Sequence, residues 1–225
     1  MKSGSPLARS RSGSTRTMKQ GLLISFFLLL LVLPVGASEL KTLLDRMQQT
    51  AASTQTLSST FVQEKHLAIF SEKLISQGRF AYARPDRLRW ELLTPFESGF
   101  VLNGRNGQRW NGLSREMGDF SVDRDPAMGM IAQQLLAWAR VDLDWLSQRY
   151  RMELLSNRPV QLRLIPLDQG EAGFIRHLEM TFADDLRSIV TVLLQEAGGD
   201  KTLLRFSQVE LNAQLPEEMF RAPEF

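Results

Sequence analysis

The order of apolar and polar residues predicts a helix followed by a series of strands. Leu40, Leu43, Leu44 and Met47 recur at helical spacing directly after Ser38, so one face of this helix should lie on a core. Farther along, apolar residues alternate with polar ones, which is typical of strands with one buried face. The alternating segments are residues 87–92, 160–164 and 177–182.

Turn sequences separate the predicted strands. Asn/Gly-rich or Asp-rich turns occur at 103–107, 184–185 and 198–200, and short turns of this kind join antiparallel neighbours. Residues 189–194 are apolar at nearly every position, so we expect that strand to be covered on both faces.

One helical insert interrupts the strands between residues 126 and 149. Met128, Ile131, Leu135 and Trp138 keep helical spacing there. Asp142 then precedes a short apolar run and is predicted to be the N-cap of a second helix. The chain after the signal is therefore predicted to form one mainly β domain, a curved antiparallel sheet with helices inserted on one face.

The first 37 residues have the three parts of a secretory signal. Basic residues up to Lys19 come first, thirteen uncharged and mostly apolar residues at 21–33 follow, and small residues lead to Ala37. An uncleaved membrane anchor is the alternative, but spanning a bilayer takes about 20 apolar residues. We expect residues 1–37 to be a signal peptide and residues 38–225 to be the exported domain.

Removing that signal changes the charge of the protein. Of the 27 basic residues, five lie in 1–37 and 22 remain against 25 acidic ones, so the net charge is about −3. No basic domain remains, and we expect no nucleic-acid partner. The chain has no cysteine, which excludes disulfides, thiolate metal sites and a lipid-modified N-terminal cysteine.

Catalytic signatures are sparse. The chain has no GxSxG or HExxH sequence and only two histidines, His66 and His177, which we expect on strand surfaces rather than in a catalytic or metal pair. We predict a non-catalytic protein with no cofactor and no metal. A periplasmic hydrolase that uses only carboxylates is one alternative, and an adhesin or scaffold is another.

The four tryptophans leave two interpretations open. Trp90, Trp110, Trp138 and Trp145 either fill an ordinary core or line a pocket for an apolar ligand. Composition alone does not choose between these interpretations.

Two segments resemble the LolA family of periplasmic outer-membrane lipoprotein carrier proteins. Residues 83–110, reading ARPDRLRWELLTPFESGFVLNGRNGQRW, are similar to the family segment with an Arg-Pro, a Trp, an Asn-Gly turn and a further Trp. Residues 206–220, FSQVELNAQLPEEMF, look like the family's last strand and ending. All elements come in the family's order, so the likeness covers essentially the whole of 38–225.

The resemblance implies an incomplete β-barrel covered by a helical lid, with an apolar cavity for acyl chains. It also implies a chaperone-like carrier in the periplasm of a Gram-negative bacterium, moving cargo from the inner to the outer membrane. The implied partners are an acylated lipoprotein or lipid, an inner-membrane exporter and an outer-membrane acceptor, with the carrier itself monomeric.

The resemblance also implies roles for particular residues. Arg84 matches the family arginine that hydrogen-bonds the helical lid when the cavity is empty, so it is predicted to be a latch, a side chain that holds the lid closed. The alternative is an ordinary exposed arginine. For Leu88 and Trp90 the alternative is plain core. The residues expected to form the cavity and its lid are Phe80, Tyr82, Leu88, Trp90, Leu102, Trp110, Met128, Ile131, Leu135 and Trp138.

One departure from the family pattern concerns the C-terminus. The sequence ends at Pro223-Glu224-Phe225, where typical members continue into a further tail, so we expect its exchange with the usual exporter and acceptor to differ. A specialised lipid- or glycolipid-handling relative, or an envelope-stress sensor of the same fold, is therefore kept as an alternative.

Overall fold

Eleven strands and four α-helices make up the part of the chain that the computed structural model describes, residues 35–69 and 71–224. The strands are β1 (Thr56–His66), β2 (Lys73–Ala83), β3 (Arg87–Thr94), β4 (Ser98–Asn103), β5 (Asn106–Asn111), β6 (Glu116–Ser121), β7 (Tyr150–Asn157), β8 (Val160–Pro166), β9 (Ile175–Phe182), β10 (Ile189–Glu196) and β11 (Lys201–Leu211). The helices are α1 (Val35–Ala51), α2 (Pro126–Arg140), α3 (Leu143–Arg149) and α4 (Gln169–Ala172), and a short 3-10 helix spans Glu217–Phe220.

All the strands belong to one antiparallel sheet in the order β6-β5-β4-β3-β2-β1-β11-β10-β9-β8-β7. Hairpins join most neighbours, while β1 and β11 pair from opposite ends of the domain. The two edge strands, β6 and β7, are not paired with each other. The prediction of a mainly β fold forming an incomplete β-barrel is thus confirmed.

The helical insert connects the two edges of this sheet. The Asp125 side chain accepts a hydrogen bond from the backbone N–H of Met128 (3.1 Å) and caps α2. Val141, with a positive φ of 50°, separates α2 from α3. The Asp142 side chain accepts from the N–H of Trp145 (3.0 Å), so its predicted role as an N-cap is confirmed.

The inner face of the sheet carries the core. Phe80, Trp90 and Phe100 lie opposite one another on β2, β3 and β4, and the Phe61 ring on β1 stacks on Trp90 with centroids 4.1 Å apart. The predicted first helix adds Met47, which is fully buried against this core. The period-two pattern of β3 therefore identified the inner face correctly.

The outer face of β3 differs from the prediction of a half-buried strand. Arg89 and Glu91, which alternate with Leu88 and Trp90, are themselves only 4% exposed. The C-terminal segment around Glu217–Phe220 covers them, because Arg89 Nη1 donates to the carbonyls of Met219 (3.1 Å) and Arg221 (2.8 Å). The ion pair of Arg89 and Glu91 is thus buried by a contact between residues 130 positions apart in the sequence.

Strand β10 differs from its prediction in the opposite sense. Ile189 and Val192 are buried, but Val190 is 37% exposed, so the outer face of this strand is not covered at that position. The predicted signal peptide lies outside the described residues, apart from 35–37, which begin α1 as described. The residues from Gly36 onward form one compact unit.

Candidate functional site

Helix α2 lies against the inner face of the sheet and leaves two spaces there. The first, the small cavity, has a volume of about 20 Å³ and is lined by Phe80, Trp90, Leu135, Trp138 and Phe206 among others. A space of that size holds about one water molecule. The side chains of α2 therefore fill most of the interior between helix and sheet.

The second space, the mouth pocket, has a volume of about 390 Å³, within the size range of ligand sites. Its lining includes residues at the end of β1 and β10 and at the start of β9 and β11, so it lies at one end of the sheet. Its walls are mainly apolar, and the principal side chains are Trp90, Ile131, Leu135, Trp138, Leu194 and Leu204.

Three side chains line both spaces: Trp90 from β3 and Leu135 and Trp138 from α2. Leu135 is buried, while Trp90 and Trp138 are half-buried. The small cavity and the mouth pocket are thus neighbouring compartments with shared walls.

Nine of the ten predicted cavity and lid residues fall into three groups. Phe80, Trp90, Leu135 and Trp138 line the small cavity, and Ile131, 47% exposed, lines the mouth pocket. Tyr82, Leu88, Leu102 and Met128 pack in the core but do not line either space.

Trp110 does not line the cavity, contrary to the prediction. Trp110 on β5 lies opposite Gly99 on β4, and Gly99 lies opposite Glu91 on β3. Its side chain is therefore on the outer face of the sheet, as that of Glu91 is. There the Arg89 guanidinium lies 5.1 Å from the ring centroid. Polar and apolar residues on β5 do not alternate clearly, so its pattern could not reveal that face.

Arg84, the predicted latch, contacts the end of α1. Its Nε donates to the carbonyl of Thr54 (2.7 Å) and its Nη2 to that of Ala52 (3.0 Å). Within the described residues these are its side-chain hydrogen bonds, so the expected direct bond to the α2 insert is not found. The link to the insert runs through α1, because Gln48 Nε2 donates to Asp144 on α3 (2.6 Å).

A polar group that the sequence did not predict lies at the edge of the mouth pocket. The Tyr150 hydroxyl, at the start of β7, donates to Glu171 on α4 and lies 3.0 Å from Gln134 Oε1 on α2. The hydroxyl has one proton, which it donates to Glu171, so it cannot also donate to Gln134. With the Gln134 side-chain amide flipped, the otherwise unpartnered Nε2 would donate to the Tyr150 oxygen. Burial and the hydrogen bond to Glu171 raise the pKa of Tyr150 far above its usual range.

The two histidines lie on strands separated by β10 and β11. His66 ends β1, and His177 on β9 lies 3.5 Å from Glu179, where burial lowers the pKa of the imidazole. Residues 35–69 and 71–224 contain no group of three His, Asp or Glu side chains that could hold a metal ion. In that same part of the chain, no helix is long and apolar enough to cross a membrane.

Comparison with known sequences identifies one matching family model, described as outer membrane lipoprotein carrier protein LolA, over residues 52–223. An outer-membrane lipoprotein carrier protein of Leptothrix cholodnii is 25% identical over 195 residues, which are 83% of this chain and 80% of the relative. A protein of the same name from Methylibium petroleiphilum is 24% identical over 200 residues, covering 84% and 89%.

Solved structures show the same fold at low identity. An uncharacterised conserved protein from Thermus thermophilus superposes with a TM-score of 0.51 and 12% identity, over 83% of this chain and 95% of the other. The Pseudomonas aeruginosa MucA/MucB complex gives 0.50 and 18%, over 82% and 61%. At these identities the likeness concerns the fold alone.

Proposed function

Since the chain belongs to the LolA family of outer membrane lipoprotein carrier proteins, we propose that it is a non-catalytic carrier. It holds the acyl chains of a lipoprotein or another lipid between α2 and the inner face of the sheet. The observation that carries this proposal is the pair of adjoining apolar spaces, which share Leu135 and Trp138 of the lid as walls.

The physical need for such a carrier follows from the cost of exposing hydrocarbon. Each buried methylene contributes about 0.8 kcal/mol, so an acyl chain of roughly 15 methylenes costs on the order of 12 kcal/mol to expose. An acylated cargo therefore cannot readily diffuse through water without a protein that shields its acyl chains. A protein with a movable apolar wall can shield the chain and later release it.

Release requires a competing closed state. Leu135 and Trp138 line the small cavity, whose volume is about 20 Å³, so the side chains of the lid would recover apolar burial when cargo leaves. The cargo-bound state buries the acyl chain, and the closed state buries the apolar side chains of the lid. Because both states bury apolar surface, the difference in free energy between them can be small.

Arg84 is proposed to bias that exchange. Its two hydrogen bonds to the end of α1 each contribute about 1.5–3 kcal/mol, as is typical of bonds from a charged group. That contribution is smaller than the burial of an acyl chain, so Arg84 adjusts the closed state and does not drive release alone. The bond between Gln48 and Asp144 supports a route from α1 to the insert.

The setting of this carrier is also a proposal. Residues 1–37 act as a signal peptide, and residues 38–225 work as a monomer in the periplasm of a Gram-negative bacterium. They receive cargo from an inner-membrane exporter and pass it to an outer-membrane acceptor. A glycolipid or other acyl product is the second class of cargo that the same apolar space would accept.

Two measurements test the carrier function. Lipids extracted from protein purified out of the periplasm are identified by mass spectrometry, and displacement of a fluorescent acyl probe measures binding. Ile131→Asp places a charge in the wall of the mouth pocket and should weaken probe binding at least tenfold. Ile75→Asp is the matched control, because Ile75 is 56% exposed and pairs with Glu64 on the outer face.

Equal loss of binding in both variants would contradict the proposed site. Absence of any bound lipid and of any probe binding in the wild type would contradict the carrier function itself. Turnover of an added ester or glycoside would favour the hydrolase alternative.

A further inference from the structure

The mouth pocket has one carboxylate whose charge is not offset. Its charged lining residues are Lys65, Glu171 and Glu196. Lys65 Nζ lies 3.9 Å from Glu196 Oε1, so those two charges oppose each other. No salt bridge joins Glu171 to a basic residue in the described part of the chain. The opening of the pocket therefore carries about one net negative charge.

The position of the Glu171 carboxylate is fixed. Its backbone N–H donates to Asp168 Oδ1 (2.9 Å), which caps α4, and its Oε1 accepts from the hydroxyl of Tyr150. Tyr150 is only 2% exposed, so this contact is anchored in the core. The nearby cation Arg149 does not neutralise the carboxylate, because its guanidinium lies over the Trp145 ring at 4.6 Å.

One oxygen of Glu171 remains available to a ligand. Oε1 is engaged by Tyr150, whereas Oε2 has no hydrogen bond to the rest of the described chain. A carboxylate accepts hydrogen bonds and donates none when ionised. A cargo whose acyl chain packs against the apolar walls of the pocket would place its polar end near this oxygen.

We propose, resting on the carrier function above, that Glu171 makes the mouth pocket selective for acyl cargo with a neutral or cationic, hydrogen-bond-donating polar end. Hydroxyl, amide and ammonium groups satisfy Oε2, while a carboxylate or phosphate is repelled by the same charge. Partial desolvation by the apolar walls strengthens both effects. The proposal names a class of cargo and a residue that determines it.

The test compares three ligands that share a sixteen-carbon chain: palmitate, monopalmitin and hexadecylamine. Each displaces a fluorescent acyl probe from the wild-type protein at pH 8 and fixed ionic strength, below the critical micelle concentration. We expect monopalmitin and hexadecylamine to bind about five- to tenfold more tightly than palmitate. In Glu171→Gln the difference between monopalmitin and palmitate should fall below about twofold.

Two control variants separate this effect from others. Glu97→Gln removes an acidic residue in the turn between β3 and β4, outside the pocket lining, and should keep the wild-type preference. Tyr150→Phe removes the hydrogen bond but keeps the carboxylate, so palmitate should still bind less tightly than monopalmitin. Circular dichroism spectra verify that each variant is folded.

The outcomes distinguish the two proposals. If none of the three ligands displaces the probe, the carrier function is wrong. If all bind the wild type with equal affinity, or if Glu171→Gln keeps the full discrimination against palmitate, the selectivity assigned to Glu171 is wrong.

Discussion

Replacing Arg89 with Met should destabilise the fold strongly, although Arg89 is far from the candidate site. The side chain is 4% exposed and donates two hydrogen bonds to Glu91 (2.9 and 2.7 Å). It also donates to the carbonyls of Met219 and Arg221. The variant therefore removes one charge of a buried pair and two of the hydrogen bonds that hold the C-terminal segment.

The magnitude follows from what remains unpaired. Breaking a buried ion pair on one side costs about 3–5 kcal/mol. Arg79 still donates to Glu91, which reduces that cost, and the freed carbonyls become accessible if the C-terminal segment detaches. We expect a loss of about 3 kcal/mol in the free energy of unfolding, or roughly 6–12 °C in Tm for a domain of this length.

Urea unfolding followed by tryptophan fluorescence measures the change. Arg205→Met is the matched control, because Arg205 pairs with Glu64 but its side chain is 50% exposed, and such surface pairs contribute little to stability. The double variant Arg89→Met/Glu91→Met should recover the part of the loss that comes from the unpaired Glu91 carboxylate, but not the part that comes from the lost bonds to Met219 and Arg221.

The pH dependence gives a second check. Burial alone would raise the pKa of Glu91, but the hydrogen bonds from Arg89 and Arg79 outweigh it and the pKa is lowered. A lowered folded-state pKa stabilises the protein above the unfolded value, near 4.3, and this stabilisation is lost as the pH falls through the folded value. The penalty of Arg89→Met should therefore shrink as the pH falls below about 4.3. A loss below 1 kcal/mol at pH 7, or one equal to that of Arg205→Met, would refute this reasoning.

Two further predictions concern the lid and the core. Arg84→Leu loses the bonds to Ala52 and Thr54, so the protein should co-purify with more bound lipid and transfer it more slowly; wild-type lipid content by mass spectrometry would contradict the latch. Gly78→Ala places a Cβ in steric conflict with the Phe61 ring and the backbone oxygen of Glu91, so we expect a loss of about 1–3 kcal/mol in the free energy of unfolding in urea; an unchanged midpoint would show that this approach is not rigid.

Local pattern was sufficient for the parts of the fold set by local chemistry. Alternation on β3 identified the face of Leu88 and Trp90, and helical spacing with a capping Asp142 identified the insert. Phe206 lines the small cavity and begins the segment 206–220 that resembles the family's last strand. Leu204 and Phe206 alternate with Arg205, and this spacing could have revealed its inward face.

The remaining features depend on contacts between distant segments. Arg89 and Glu91 look like solvent-facing charges until a segment 130 residues away covers them. The Tyr150–Glu171 contact joins residues 21 positions apart across two elements, and neither residue stands out by spacing. An alternating pattern indicates which residues share a face of a strand, but it does not indicate which segment covers the outer face.

The gap between β6 and β7 has a mechanical consequence. In a closed barrel the number and stagger of the strands fix the bore, so a larger guest must break ladder hydrogen bonds or stay out. This sheet is open between β6 and β7, and α2 and α3 connect those two edge strands along the chain. For the proposed carrier, we therefore expect the width of the space to depend on the position of α2, so that cargoes of different size are accommodated by side-chain repacking without breaking any strand pair.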